Sequence, residues 1–364
     1  MRVLLLSAYH SASHRYWCDG LMRAFPEVEW TLKTQPARHF SWRVRSSGWL
    51  WALDSDPDFR KPCDLILATS LAGVVPMKAM CPALQGTPLW VYFHENQFAH
   101  PLSERQHAEH QAGWQFQSLQ NAFCADWISF NTAFNRTTFL EGARRLLRKF
   151  PEKLPEAAVQ RLSEHSDVLP VPLTREFKAF RNTPKTRNLI LWNHRWEWDK
   201  QPERFLAALI ALHREGFDFE LAMLGSGGGR KNKFEAEAEE LKSRIVQWGE
   251  VDPDSYKDWI ARADLGVSTA IHDFQGLSML ELAQAGATVI VPKRLAYPEC
   301  LPQAHFYEGH PGDAHKDIED LKAALTTLLQ SEERPRHDTR NLPEWERMKE
   351  LYHKRLARLA GLAS

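Results

Sequence analysis

Cysteine is scarce and unpatterned. Cys18, Cys63, Cys81, Cys124 and Cys300 are an odd set of five in 364 residues, with no CxxC pair. This argues against a disulfide framework or a zinc site and makes a reducing compartment, the cytoplasm, the expectation. No apolar run approaches the ~18 residues of a membrane span, so no membrane partner is expected. The opening MRVLLLSAYHSASH has too short an apolar stretch for a signal peptide, and His10 and His14 follow at once; it reads as a buried strand. Sixteen histidines show neither HExxH nor a paired spacing, so no metal is expected. Tandem repeats and low-complexity tracts are absent too. Net charge is missing, with 46 Lys+Arg against 46 Asp+Glu, which excludes a uniformly basic coat for nucleic acid but leaves local patches open. Split at residue 180, the first part holds 20 basic and 17 acidic residues and the second 26 and 29, so neutrality is a sum over two unlike halves. Tryptophan is what the chain has in excess, with 14 residues.

Short apolar runs alternate with longer amphipathic segments, the pattern of a parallel α/β protein. The strand candidates of the first half are Val3–Ser7, Glu29–Lys33, Asp64–Thr69, Leu89–His94, Trp127–Asn131 and Asp167–Val171. Those of the second are Leu189–Asn193, Glu220–Gly225, Val246–Gly249, Asp264–Thr269 and Thr288–Pro292. Pro202–Glu215, Lys231–Ser243 and Ser278–Ala285 read as helices, and Leu342–Leu362 as a long amphipathic one. Pro170, Pro172 and Pro184 mark an interdomain linker. Two doubly wound domains joined there imply a ligand crevice at the carboxyl ends of the strands.

Three segments at strand ends carry chemistry. His272-Asp273-Phe274-Gln275-Gly276-Leu277-Ser278-Met279-Leu280-Glu281 places two acids eight apart across a Gly turn that opens a helix, aiming backbone N–H groups at an anion. The plainer alternative makes Asp273 a turn residue and Glu281 a solvated one. His194-Arg195-Trp196-Glu197-Trp198-Asp199-Lys200-Gln201-Pro202 offers Arg195 and Lys200 as cations for a diphosphate, or else a surface salt-bridge cluster. Tyr92-Phe93-His94-Glu95-Asn96-Gln97 presents polar groups suited to sugar hydroxyls, with His94 open to reading as a core residue. The glycines of Leu224-Gly225-Ser226-Gly227-Gly228-Gly229 read as a flexible linker rather than a phosphate loop. Two basic stretches suit RNA: Arg136–Lys149, and Lys33–Arg45 with Phe40 and Trp42 among its cations. A solvated helix face is the alternative for each.

The acid pair Asp273 and Glu281 resembles the motif of retaining family 4 glycosyltransferases, and Arg195 with Lys200 resembles their diphosphate clamp. The order of motifs is similar to that of the tRNA-queuosine mannosyltransferase-like family. Ser13-His14, Trp42-Arg43-Val44-Arg45-Ser46, Tyr92–Gln97, Phe130–Asn135, His194–Pro202, Trp248-Gly249 and Tyr297-Pro298-Glu299 all match in sequence. The resemblance implies a GT-B fold, two Rossmann-like domains facing a central cleft. It assigns residues 1–175 to a tRNA acceptor domain, 185–335 to a nucleotide-sugar donor domain, and 336–364 to a helix crossing back onto the first. It implies GDP-mannose as co-substrate, no cofactor and no metal, and the cyclopentenediol of queuosine in a tRNA anticodon as acceptor. By position, Glu281 would hold the donor ribose and Asp273 the donor sugar. Phe274, Gln275, Gly276, Leu277 and Ser278 would line sugar and phosphates, with Trp248 and Gly249 near the base. His94, Arg195, Lys200 and Asp273 would be catalytic, and His14, Arg43, Arg45, Glu95, Asn96, Gln97 and Asn131 would meet the acceptor. Three positions differ from the usual family pattern: Asp273 replaces Glu, Gln275-Gly276 replaces Phe-Gly, and Ser11-Ala12-Ser13-His14 replaces Gly-Gly-Ser-His. Rival expectations are a family 4 transferase for lipid or polysaccharide acceptors and a catalytically silent RNA-binding module.

Overall fold

Uninterrupted apolar runs such as Leu65–Thr69, Leu89–Phe93 and Leu189–Asn193 form strands buried on both faces, the signature of parallel sheets covered by helices. The computed structural model describes residues 1–101, 108–152, 155–226 and 231–362. They form two compact units: one is Met1–Pro172 together with the stretch from Pro343 on, the other Leu173–Leu342.

The first unit is built on six parallel strands, β1 (Arg2–His10), β2 (Glu29–Pro36), β3 (Leu65–Thr69), β4 (Leu89–Phe93), β5 (Trp127–Phe130) and β6 (Ser166–Val168), in the order β2-β1-β3-β4-β5-β6. Its helices include α1 (Ala12–Ala24) and α2 (Phe40–Leu53); α3 (Val74–Met80), α4 (Ala108–Cys124), α5 (Ala133–Leu147) and α6 (Glu156–Glu164) follow. The second unit orders β7 (Leu189–Asn193), β8 (Glu220–Leu224), β9 (Ile245–Gly249), β10 (Leu265–Val267), β11 (Thr288–Pro292) and β12 (His305–Tyr307) as β12-β11-β10-β7-β8-β9, again all parallel. Alternate residues of β7 enter opposite cores: Ile190 and Trp192 pack with α7 (Pro202–Arg214), Leu189 and Leu191 with α10 (Leu277–Ala285). Chain order reverses between β7 and β10, so the loops after these two strands meet at the topological switch point of the sheet.

Several boundaries differ from expectation. The last helix, α13, runs Trp345–Leu359, because Pro343 excludes Leu342 from helical geometry and residues through Leu342 belong to the second unit. Strand β6 stops at Val168, short of the proline-bounded end. The helix after the Gly-rich loop ends at Glu237 and gives way to a 3-10 turn, Glu239–Leu241. Gly227, Gly228 and Gly229 lie outside the described residues. Helix α2 and the three-residue strand β12 were not anticipated.

Helix α13 packs within the first unit. Tyr352 is fully buried, its hydroxyl accepting from Trp17 Nε1 at 3.1 Å and donating to the Pro170 carbonyl at 3.1 Å. Trp17 stacks on Tyr92 with ring centroids 4.4 Å apart. No described helix is long and apolar enough to cross a membrane.

Candidate active site

In the second unit the loop after β7 holds Lys200, whose side chain is only 12% exposed. Its ammonium donates to the His272 carbonyl at 2.5 Å and lies 3.4 Å from Asp199 Oδ2 and 3.6 Å from Asp273 Oδ2. Lys200 is thus the counter-ion of two carboxylates. Burial pushes the Asp199 carboxyl up, but the His272 hydrogen bond and the Lys200 charge outweigh it and hold it well below the usual range. Asp273 is balanced in the same way: burial raises it, while Lys200, His194 and the Gly276 N–H bring it below its ordinary value. Both acids are therefore ionised at neutral pH. Arg195 behaves differently. Its side chain is 65% exposed and its guanidinium pairs with Glu197 at 2.7 Å; its charge acts on His194 and Asp199 through space.

Asp273 closes the turn into α10. Its Oδ1 accepts from the Gly276 N–H at 2.9 Å, and its Oδ2 accepts from the Tyr297 hydroxyl at 3.2 Å. Gly276 is the N-cap at φ +74°, and a Cβ there would come within 2.7 Å of Tyr297 Cε1, so backbone shape and space both require glycine. With the Gly276 N–H engaged by Asp273, the Leu277 and Ser278 N–H groups are the helix-start donors without an acceptor among the described residues. Helix-start donors of this kind are the groups that suit an anion.

Four residues further on, Glu281 accepts from the Tyr256 hydroxyl at 2.7 Å, and Asn193 Nδ2 donates to that hydroxyl at 2.9 Å. Burial pushes the Glu281 carboxyl up, and despite the Tyr256 hydrogen bond it reaches about 7. His194 is buried at the end of β7, its Nδ1 3.5 Å from Ser278 Oγ. Burial, then Lys200, lowers it to about 3, so it is a neutral imidazole. Trp248 packs edge-on to Trp196 at 4.8 Å and precedes Gly249, whose φ is +98°. Phe274 packs edge-on to His272, and Gln275 is buried.

In the first unit the loop after β4 brings His94 against His14 of α1, ring centroids 4.4 Å apart, with Trp17 and Tyr92 each 4.7 Å from the His94 ring. Neither His94 ring nitrogen has a hydrogen-bond partner among the described residues. Burial, then His14, holds His94 well below its ordinary value; burial lowers His14 too, against the opposing charge of Glu95. The two rings are neutral at pH 7. Asn96 and Asn131 brace the loop. Asn96 Nδ2 donates to Asn135 Oδ1 at 2.8 Å and its Oδ1 accepts the Phe98 and Ala99 N–H groups at 2.9 and 3.0 Å. Asn131 Nδ2 donates to the His94 carbonyl at 2.8 Å and its Oδ1 accepts from Asn135. Gln97 is buried, its amide 3.4 Å from half-buried Glu95. Arg43 and Arg45 lie on α2, Arg43 donating to Gln35 at 3.2 Å and Arg45 exposed. Two other basic groups of the proposed RNA stretches are engaged inside the fold: Lys33 pairs with Asp56 and Asp58, and Arg136 donates to Ser163 and Ser166.

Sequence reasoning assigned no role to Asn193, His194, Asp199, Tyr256, His272 or Tyr297. Asn193 and His194 were findable, since they end the strand at the switch point. Tyr256 was not: it reaches Glu281 from α9 (Pro253–Arg262), with no motif around it.

A parallel sheet with its cluster of acids, Lys200 and helix-start donors at the switch point defines a class. Residues 174–345 match glycosyl transferases group 1, and the chain is a retaining glycosyltransferase of that group with the GT-B fold. Solved structures of the same fold include sucrose-phosphate synthase from Thermosynechococcus elongatus, with a TM-score of 0.68, 13% identity and 100% of both chains covered. Anabaena HepE in complex with UDP is another, with a TM-score of 0.62, 12% identity, and 98% of this chain and 100% of that one covered. Residues 2–173 match the tRNA-queuosine alpha-mannosyltransferase N-terminal family. The tRNA-queuosine alpha-mannosyltransferase of Drosophila melanogaster is 28% identical over 318 residues, 84% of this chain and 83% of that protein. The chain belongs to the tRNA-queuosine alpha-mannosyltransferase family.

Proposed function

We propose that the chain transfers mannose from GDP-mannose to a cyclopentenediol hydroxyl of queuosine in a tRNA anticodon. The observation that carries the reading is the match of residues 2–173 to the N-terminal domain of that family, since residues 174–345 match only the broader group. The donor belongs to the second unit. There Glu281 accepts ribose hydroxyls, Trp248 and Gly249 border the base, and Asp273 accepts sugar hydroxyls beside Phe274 and Gln275. The Leu277 and Ser278 N–H groups and Arg195 hold the diphosphate. In the transfer the bond from the sugar's anomeric carbon to the leaving phosphate oxygen breaks, and a bond from that carbon to the acceptor oxygen forms. The acceptor's proton passes to the departing phosphate oxygen, so no protein nucleophile is required. Negative charge grows on the diphosphate, and donors fixed beforehand stabilise it without reorganisation.

The acceptor belongs to the first unit, with His14, His94, Glu95 and Gln97 around the nucleoside and Arg43 and Arg45 on its phosphates. His94, neutral and with both ring nitrogens unengaged, is suited to accept or donate a hydrogen bond to a sugar hydroxyl. The five unpaired cysteines support a cytoplasmic setting. The test is incubation of the protein with GDP-mannose and either queuosine-containing or queuosine-lacking tRNA, read by mass spectrometry of the nucleosides. A hexose gained only on queuosine is expected. Transfer independent of queuosine, or from UDP-glucose in preference to GDP-mannose, overturns the assignment.

A further inference from the structure

Helix α2 turns a face to solvent that its own unit does not cover. Trp42 is 76% exposed, Trp49 51% and Leu53 70%. Positions 42, 45, 46, 49 and 53 fall at helical spacing on one side, so Arg45 and Ser46 lie between the two indoles. The opposite side is anchored: Val44 packs with Leu71 and Trp114, and Ser47 Oγ accepts the Gly73 N–H at 2.9 Å. The Trp49 indole N–H donates to the Arg45 carbonyl at 2.8 Å, which lays that ring back along the helix toward the arginine. Residues 30–53 contain no Asp or Glu but include Lys33, Arg38, Arg43 and Arg45. Lys33 is neutralised by its two acids, whereas Arg38 and Arg45 are exposed. The start of α2 is joined to the carboxyl end of β1, since Phe40 packs edge-on against Tyr9 at 5.2 Å. His10 and His14 follow directly in the chain.

We infer that this face of α2 is a stacking platform for unpaired bases of the RNA acceptor, with Trp42 and Trp49 as the stacking rings and Arg38 and Arg45 as phosphate partners. The inference rests on the tRNA reading above, which sets Arg43 and Arg45 of this helix on the phosphates, and adds the two indoles as contacts to the bases. Two indoles seven residues apart stand about 10 Å apart along the axis, the span of a few nucleotides. Base-on-indole stacking is tolerant of sequence, as binding the nucleotides that flank a modified base demands. Leu50, 45% exposed, adds to the apolar part of this face beside Leu53, and indole-dependent vesicle binding is therefore one arm of the test below. The other basic helix, α5, exposes Arg144 and Arg145, and Arg148 at its C-cap, without an exposed indole among them.

The experiment measures binding of an anticodon stem-loop RNA, with queuosine or with guanosine, to the full chain and its variants. Trp42→Leu and Trp49→Leu should each weaken stem-loop binding about tenfold, with slow donor hydrolysis to water and the melting temperature unchanged. Trp42→Tyr should restore most of the loss, because the phenol still stacks. Arg45→Ala should reduce the slope of log affinity against log salt by about one. Unchanged stem-loop binding in the Trp42→Leu/Trp49→Leu double variant overturns the inference. So does an RNA-independent role: indole-dependent co-sedimentation with anionic phospholipid vesicles, or an indole-dependent dimer in sedimentation velocity, while RNA binding is unaffected. If the indoles govern RNA binding but no sugar reaches queuosine, the platform stands and the proposed acceptor fails.

Discussion

Arg195 and Lys200 sit five residues apart in one loop, yet their removal has different consequences. Arg195 is exposed and its guanidinium pairs, among the described residues, with Glu197 alone, so Arg195→Ala should leave stability within about 0.5 kcal/mol while lowering turnover about 100-fold or more. Lys200→Ala strips the counter-charge from Asp199 and Asp273 and should cost about 3–5 kcal/mol of stability as well as activity. Chemical denaturation beside turnover separates the two, and equal stability losses would contradict the assignment. Glu281 supplies a pH signature. Its folded value of about 7 lies above that of the unfolded chain, so the carboxyl favours the folded state at low pH, and that contribution is lost as pH rises toward 7. Under the proposed ribose contact the carboxylate is the acceptor, so donor affinity should fall below pH 7. Tyr256→Phe removes the hydrogen bond that lowers the carboxyl and should move this inflection upward, measured as KM for the donor against pH. The acid pair and both cations were legible because each follows a strand end in a short motif. Their pairing was not: whether a cation meets solvent or two carboxylates depends on how deeply the loop is buried.

Loops here are held by side chains whose amides look like ligand contacts in a linear reading. Asn96, Asn131 and Asn135 bond one another and the backbone around His94, replacing ladder bonds the chain gives up on leaving β4 and β5. Asn96→Ala leaves buried donors and acceptors unpaired and should destabilise the chain by about 2–4 kcal/mol. Glu95→Ala, at a half-buried position, should affect acceptor KM with little change in melting temperature. At the start of α10, Gly276→Ala meets both a positive φ and the Tyr297 ring; a cost of about 1–3 kcal/mol and loss of donor binding are expected by calorimetry. The strands were readable because burial on both faces demands unbroken apolar runs. The edge strand β12 was not, since three residues carry no period. Helix α2 was hidden for a related reason: its apolar residues lie on both the packed and the open side, so no single stripe marks it.

The boundary at Pro172 and Leu173 was visible in its prolines, but the destination of the last helix was carried by family resemblance alone, because an amphipathic stripe does not state which core it covers. In the structure the Tyr352 hydroxyl accepts from Trp17, 335 residues away in sequence. A chain ending at Leu342 should therefore lose protection of β1 and β4 in hydrogen exchange while β7 and β10 keep theirs; equal loss in both sheets would contradict the division. The same contact sets an order of events during synthesis. The second unit is one continuous stretch of chain and can close as soon as it leaves the ribosome. The first is translated earlier yet must wait, with Trp17 and Tyr92 uncovered, until α13 emerges, so the half made first is finished last.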